Sequence, residues 1–335
     1  MKLKPLFFTL LLLIISVLSF SQKKNKPDNK AFKIVGYYFL NTALRDTVHA
    51  DSSYLFLNKI THLNIAFINP DSSGNFRQNL AIDTLIKKAH QKKVKVLASI
   101  AGGGSHVYYH MLLRDNNQKL FVQNIVSLVK RYDLDGIDVD LEGTDIDSNY
   151  QSFVIELAKA LKADKKIITA AIATAYKDEL PDKALKQFDF INIMSYDQTG
   201  PWQPANPGDH SPYIMAEQDL DYWHNVRSIP KEKLVLGVPF YGYGFGSIDS
   251  PVVSMSYKQI VSLYPNRLLS DTLLLANNIT MYFNNVATIQ KKTRLALQKA
   301  GGVMIWQLLG DAEGDLSLLN AIKEVVENRK HSKQK

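Results

Sequence analysis

The strongest constraint on this chain is an alternation of two kinds of segment. Eight short runs rich in apolar and β-branched residues follow one another: KIVGYY from Lys33, THLNIAF from Thr61, VKVLASI from Val94, LDGIDVDL from Leu134, IITAAIA from Ile167, FINIMSY from Phe190, LVLGVPF from Leu234 and GVMIWQL from Gly302. Most are separated by stretches with helical spacing, such as LAIDTLIKKAHQKK from Leu80, KLFVQNIVSLVKRY from Lys119, QSFVIELAKALKA from Gln151 and TIQKKTRLALQKA from Thr288. A strand followed by a helix and another strand is the unit of a parallel sheet. Eight such units in 335 residues, 46% of them hydrophobic, predict a (β/α)8 TIM barrel around one large core. No glycine-rich nucleotide fingerprint follows the first strand, which weighs against an open doubly wound sheet. The longest interval, from Tyr241 to about Gly301, reads as a modest insertion between strand seven and helix seven on the active face, too short for a domain of its own.

The ends of the chain read differently. MKLKPLFFTLLLLIISVLSFSQKKNK has two lysines, an apolar run from Leu6 to Leu18, and Ser19 and Ser21 around Phe20. That pattern predicts a signal peptide cut near Ser21 or Gln22. The run is shorter than the roughly 20 apolar residues of a spanning helix, so a retained membrane anchor is the weaker reading. The expected organisation is a signal peptide over 1–21, a linker over 22–32, the barrel over 33–326 and a basic tail over 327–335. An exported, periplasmic or extracellular monomer follows, with no membrane span after cleavage. The absence of cysteine excludes disulfides and a cysteine-linked lipid, leaving stability to the core.

A net charge of +8 suggests nucleic-acid binding until it is located. Six lysines against one aspartate in the first thirty residues carry +5, and Arg329, Lys330, Lys333 and Lys335 carry +4. The body is left near −1, so the basicity belongs to the ends and no nucleic-acid partner is expected.

One strand carries the chemistry. DLDGIDVDLEG, residues 133–143, holds five acidic side chains in eleven positions, interleaved with Ile137, Val139 and Leu141. In a barrel strand alternate side chains share a face, so Asp138, Asp140 and Glu142 point inward together. At about 3.3 Å per residue, Glu142 stands roughly 13 Å beyond Asp138, at the C-terminal mouth where barrels of this kind keep their active sites. Carboxylates this close in a partly dry site cannot all ionise freely, and a raised pKa is what a general acid requires. A solvated acidic loop would not alternate with apolar residues, and an EF-hand-like calcium site needs a different spacing with a central glycine.

Asp135-Gly136-Ile137-Asp138-Val139-Asp140-Leu141-Glu142 resembles the DxxDxDxE signature of glycoside hydrolase family 18, the chitinases and endo-β-N-acetylglucosaminidases. SIAGG from Ser99 is similar to the family's SxGG on the third strand, and MSYD, Met194 to Asp197, to its MxYD on the sixth. LGVPFYG from Leu236 and GGVMIWQL from Gly301 are like its seventh and eighth strands, with the family tryptophan at Trp306. The resemblance runs from about Lys33 to Ala321. It implies a retaining, substrate-assisted hydrolase of β-1,4-linked N-acetylglucosamine, in which the sugar's 2-acetamido group supplies the nucleophile. Glu142 would protonate the glycosidic oxygen, Asp140 would orient the acetamido N–H, and Asp138 would share the proton beneath it. Tyr196 would donate to the acetamido oxygen, Asp197 would contact the same sugar, and Trp306 would floor its ring.

Met194 is expected beside the acetamido pocket, mainly as packing, and Asp135 and Ser99 as structural support. Tyr37, Trp202 and Trp223 are aromatics for which a sugar groove and ordinary packing weigh equally. His106 and His110 have no evident partner in the sequence, and neither metal nor cofactor is expected. The chain departs from the family pattern at Ala101, in the place of the first SxGG glycine, and at Tyr243 and Gln307, where many chitinases carry arginine and glutamate. The last two would alter substrate-binding groups and leave the acid intact. The short insertion suggests a shallow cleft suited to short or branched oligosaccharides. An endo-β-N-acetylglucosaminidase acting on N-glycan cores and a non-catalytic chitin-binding lectin are the rival functions.

Overall fold

The computed structural model describes residues 31–40, 51–79, 81–104, 106–247 and 250–332. The signal-peptide reading, most of the linker and the last three residues of the tail lie outside them.

Eight parallel strands close into a barrel: β1 (Lys33–Phe39), β2 (His62–Ala66), β3 (Lys95–Ala101), β4 (Gly136–Asp140), β5 (Ile167–Ile172), β6 (Phe190–Ile193), β7 (Leu234–Pro239) and β12 (Gly302–Trp306). They neighbour one another in that order, and β12 pairs with both β7 and β1 to complete the ring. The eight runs read from the sequence are these strands, and the barrel expectation is borne out. The outer layer includes α1 (Ala81–Gln91), α2 (Val107–Leu112), α3 (Asp115–Arg131), α4 (Tyr150–Ala163), α5 (Asp182–Leu185) and α6 (Tyr213–Asp221). The interval after β7 holds β8 (Tyr241–Phe245), β9 (Val253–Ser256), α7 (Tyr257–Leu263), β10 (Thr272–Leu274) and β11 (Thr280–Phe283). α8 (Val286–Lys299) and α9 (Leu318–Ser332) flank β12 in the chain. None of the described helices is long and apolar enough to cross a membrane.

Strand alternation sorts the core into two parts. Outward-facing Ile137 and Val139 of β4 join a large apolar layer with Phe153, Leu157 and Ile168, all essentially inaccessible. A smaller inner cluster holds Val35, Tyr37, Ala66, Phe190, Met194, Tyr196, Val235 and Met304. The barrel interior is also unusually polar: Asn64, Ser99, Asp138, Thr169 and Asn192 are each 0% exposed. Buried polar atoms are costly unless paired, so their partners define the site.

The insertion is a four-stranded antiparallel sheet in the order β10–β11–β8–β9. Gly242 of β8 lies where a Cβ would come within 2.4 Å of the Tyr282 carbonyl oxygen, so only glycine lets β8 and β11 approach this closely.

Candidate active site

Asp138 sits at the foot of the acidic stack and is saturated with donors. Its Oδ2 accepts from the Tyr37 hydroxyl at 2.6 Å and from Ser99 Oγ at 2.8 Å. Its Oδ1 accepts from Thr169 Oγ1 at 2.5 Å and from Asn192 Nδ2 at 3.2 Å. Strand register supplies two of these, since Ser99 and Thr169 are the direct neighbours of Asp138 on β3 and β5. Burial pushes the Asp138 carboxyl up, while the four donors favour its charged form.

Asp140 is as deeply enclosed but has no such support: its Oδ1 finds no hydrogen-bond partner among the described residues. Burial first, then the charges of Glu142 and Asp138, push its carboxyl well above the ordinary aspartate range. Glu142 lies just past the end of β4 on extended backbone, φ −126° and ψ 153°, so the inward-facing series continues beyond the hydrogen-bonded strand. Burial, then the charges of Asp197 and Asp145, raise Glu142 to about 7. A carboxyl that keeps its proton near neutrality is able to serve as a general acid.

The adjacent loops hold this end of the stack in place. Ala101, at the end of β3, has φ 71°, a left-handed conformation that costs a non-glycine residue about 1 kcal/mol or more. Asn69 grips it on both sides, accepting from the Ala101 N–H at 2.6 Å and donating to its carbonyl at 2.9 Å. Gly102 follows at φ 100°, where a Cβ would collide with the Phe67 ring. That ring packs on Trp306, with centroids 5.6 Å apart.

Trp306 is half-buried at the end of β12 and also meets Tyr37 at 5.5 Å and Phe39 at 6.0 Å. Across from the acids, β6 runs directly into Met194, Ser195, Tyr196 and Asp197. The Tyr196 hydroxyl meets only the weak acceptor Met304 Sδ, at 3.8 Å, among the described residues. Asp197, also left-handed at φ 63°, accepts from the Tyr241 hydroxyl at 2.5 Å and lies 3.3 Å from His210 Nδ1. Asp197, Tyr241, Tyr243, Ser254, Ser256, Trp306 and Gln307, with Phe240, line a hollow of about 270 Å³.

The structure brings Asp138, Asp140, Tyr37 and Ser99 together in the barrel, and gathers Asp197, Tyr243, Trp306 and Gln307 at its mouth. Met194 packs beside Tyr196 in the inner cluster. Tyr37 does not line a groove: it is 1% exposed, beneath Trp306, with its hydroxyl committed to Asp138. Trp223 is equally far from a groove, fully enclosed and donating Nε1–H to Thr174. Trp202 is exposed and stands edge-on to Tyr243 at 6.0 Å. The Gln307 side-chain oxygen is engaged by the Leu309 N–H. Asp135 serves the opposite end of β4, accepting from Lys95 Nζ and the Val96 N–H and meeting His90 Nε2.

His106 and His110, which have no evident partner in the sequence, each meet an aspartate in the structure. His106 Nδ1 is 3.0 Å from Asp145 Oδ2, and His110 Nδ1 is 3.0 Å from Asp147 Oδ2. Among the described residues no three acidic or histidine side chains gather as metal ligands.

Sequence reasoning passed over Thr169, Asn192, Asp145, Tyr241 and His210. The first two had a signal, a polar residue on the inward face of an apolar strand; the others sit in loops or the insertion, where no period marks them.

The family model for glycosyl hydrolases family 18 matches residues 33–311, and the chain belongs to that family. Among solved structures, the GH18 chitinase ChiB from the chitin utilization locus of Flavobacterium johnsoniae is 36% identical, with a TM-score of 0.80 over 90% of this chain and 96% of that one. A chitinase from Bacteroides thetaiotaomicron is 27% identical, with a TM-score of 0.74 over 90% and 98%. The probable endochitinase of Caenorhabditis elegans is 28% identical over 242 residues, 60% of this chain and 38% of that relative. The matched stretch thus spans well under half of that relative's length.

Proposed function

We propose that this chain is a retaining hydrolase of β-1,4-linked N-acetylglucosamine that works by substrate assistance, with Glu142 as general acid and base. The observation that carries the reading is the contrast within one strand: a proton-holding Glu142 near pKa 7 stands beyond a donor-poor Asp140 and a donor-saturated Asp138. Glu142 gives its proton to the glycosidic oxygen as the acetamido carbonyl oxygen attacks C1, and the aglycone leaves. Water, deprotonated by the Glu142 carboxylate, then opens the oxazolinium at C1, and two inversions retain the configuration. The partnerless oxygen of Asp140 is the acceptor for the acetamido N–H, and the nearly unpartnered Tyr196 hydroxyl donates to the acetamido oxygen. Trp306 stacks under the ring, with the hollow beside Asp197 taking the sugar's polar edge.

Chitin oligomers are the favoured substrate, supported by the two chitinase structures that align over most of the chain. Secretion remains part of the proposal on the strength of the N-terminal sequence. The test is hydrolysis of chitotetraose and of a high-mannose N-glycan by the protein cut after Ser21, alongside Glu142→Gln. Chitotetraose cleavage that falls roughly 10²-fold or more in the variant supports the reading. Cleavage of the N-glycan alone moves it to an endo-β-N-acetylglucosaminidase. Equal binding by both proteins without cleavage makes it a lectin.

A further inference from the structure

His210 has no part in the proposed reaction, yet it is fully enclosed beside the residues that do. Its ring packs against Tyr241 and Tyr243, with centroids 4.9 Å from each. Nδ1 faces Asp197 Oδ1 at 3.3 Å, the same oxygen that accepts from Tyr241, while Nε2 meets no partner among the described residues. Nε2 is enclosed and faces no acceptor, so a proton placed there would be a buried donor left unmet. A ring with its proton on Nδ1 leaves no donor unmet and gives Asp197 a hydrogen bond.

The segment that carries His210 is pinned as well. The Gln198 N–H donates to the His210 carbonyl at 2.9 Å, closing the loop between them. Next in the chain, Ser211 is held by Lys292 of α8, whose buried Nζ donates to the Ser211 carbonyl at 2.5 Å, its hydroxyl at 2.7 Å and Asn284 Oδ1 at 2.7 Å. Ser211 Oγ in turn donates to the Ser195 carbonyl at 2.7 Å, one residue before Tyr196. The backbone that carries the ring is therefore fixed by a buried network, and the ring itself is wedged between Tyr241 and Tyr243.

We propose that His210 is a positioning residue for the reaction: as an Nδ1–H donor it fixes the carboxylate of Asp197, which sits on a left-handed backbone and lines the hollow beside Trp306. This rests on the hydrolase reading given above. Three proteins test it with chitotetraose: the wild type, His210→Phe, which fills the space without a donor, and His210→Asn, whose amide nitrogen takes the place of Nδ1. The expected result is an about tenfold loss of kcat in the phenylalanine variant, with KM nearly unchanged, and recovery of most of that loss in the asparagine variant at similar melting temperatures. Equal kcat in all three proteins overturns the proposal, as does an equal loss in both variants, which would mean that the ring's shape matters and its donor does not. A wild type that cleaves no N-acetylglucosamine oligomer counts against the hydrolase reading instead. The imidazole nitrogen NMR shifts then decide this one: a proton on Nδ1 supports it and a proton on Nε2 overturns it.

Discussion

The layer of the barrel around Asp138 and the layer just above it, around Asp140, hold the same side chain on the same strand, two residues apart. Both are almost wholly buried, and burial is the largest cause of the raised pKa in each. They differ in supply. Four side chains from four strands give hydrogen bonds to Asp138, whereas an oxygen of Asp140 receives none. The difference shows how a fold can assign opposite roles to identical groups: donors make the lower carboxylate a fixed anchor, and their absence leaves the upper one open to a proton or a ligand.

The contrast can be broken from its upper end first. Asp140→Asn should cost roughly 10²- to 10³-fold in kcat on chitotetraose while the melting temperature changes little, because no protein donor is stranded. If its stability falls sharply instead, Asp140 is as structural as its neighbour and the two layers are alike.

Glu142→Gln sharpens the same contrast through stability. A carboxyl moved from 4.5 to about 7 on folding holds its proton in the native state while the unfolded chain has already lost it. Below pH 4.5 both states are protonated and nothing is lost; between pH 4.5 and 7 the wild type loses stability, and above 7 the loss is complete. The glutamine variant should therefore be the more stable protein above pH 7, by about 3 kcal/mol, and no different near pH 4. Urea midpoints across that range check it.

From the lower end, Thr169→Val removes one of the four donors to Asp138 and should cost about 1–2 kcal/mol in urea unfolding, with a minor effect on kcat. An unchanged midpoint would show that the remaining three suffice. Asp145→Asn is the gentlest probe. Removing a negative charge near Glu142 lowers its pKa, so the alkaline limb of the kcat profile should shift by a few tenths of a unit to lower pH. A shift upward would reverse the assignment of Glu142 as the protonated acid.

The barrel and the acidic stack were legible because both are periodic. Strand–helix alternation persists through the body of the chain, and Asp138, Asp140 and Glu142 repeat at the strand's period of two. Thr169 and Asn192 obeyed the same rule and were passed over, because one polar residue in an apolar run stands out less than three acids in a row. The insertion's sheet was hidden for another reason. Its strands are three to five residues long, and β8 alternates aromatic with glycine, so no run was long enough to show a period. His210 and Asp145 lie outside any strand, where position is set by hydrogen bonds from distant segments such as the Lys292 network.

The ring closes where β12 slides between β7 and β1, and Trp306 arrives with it. The acids of β4 are made more than 160 residues before that tryptophan. During synthesis the chain thus carries its carboxylates long before it has the aromatic surface that would hold a sugar against them. A polypeptide stopped at Ala300 would own every acid of the stack and lack Trp306, so on the proposed reading the reacting carboxylates are made well before the floor that would face them.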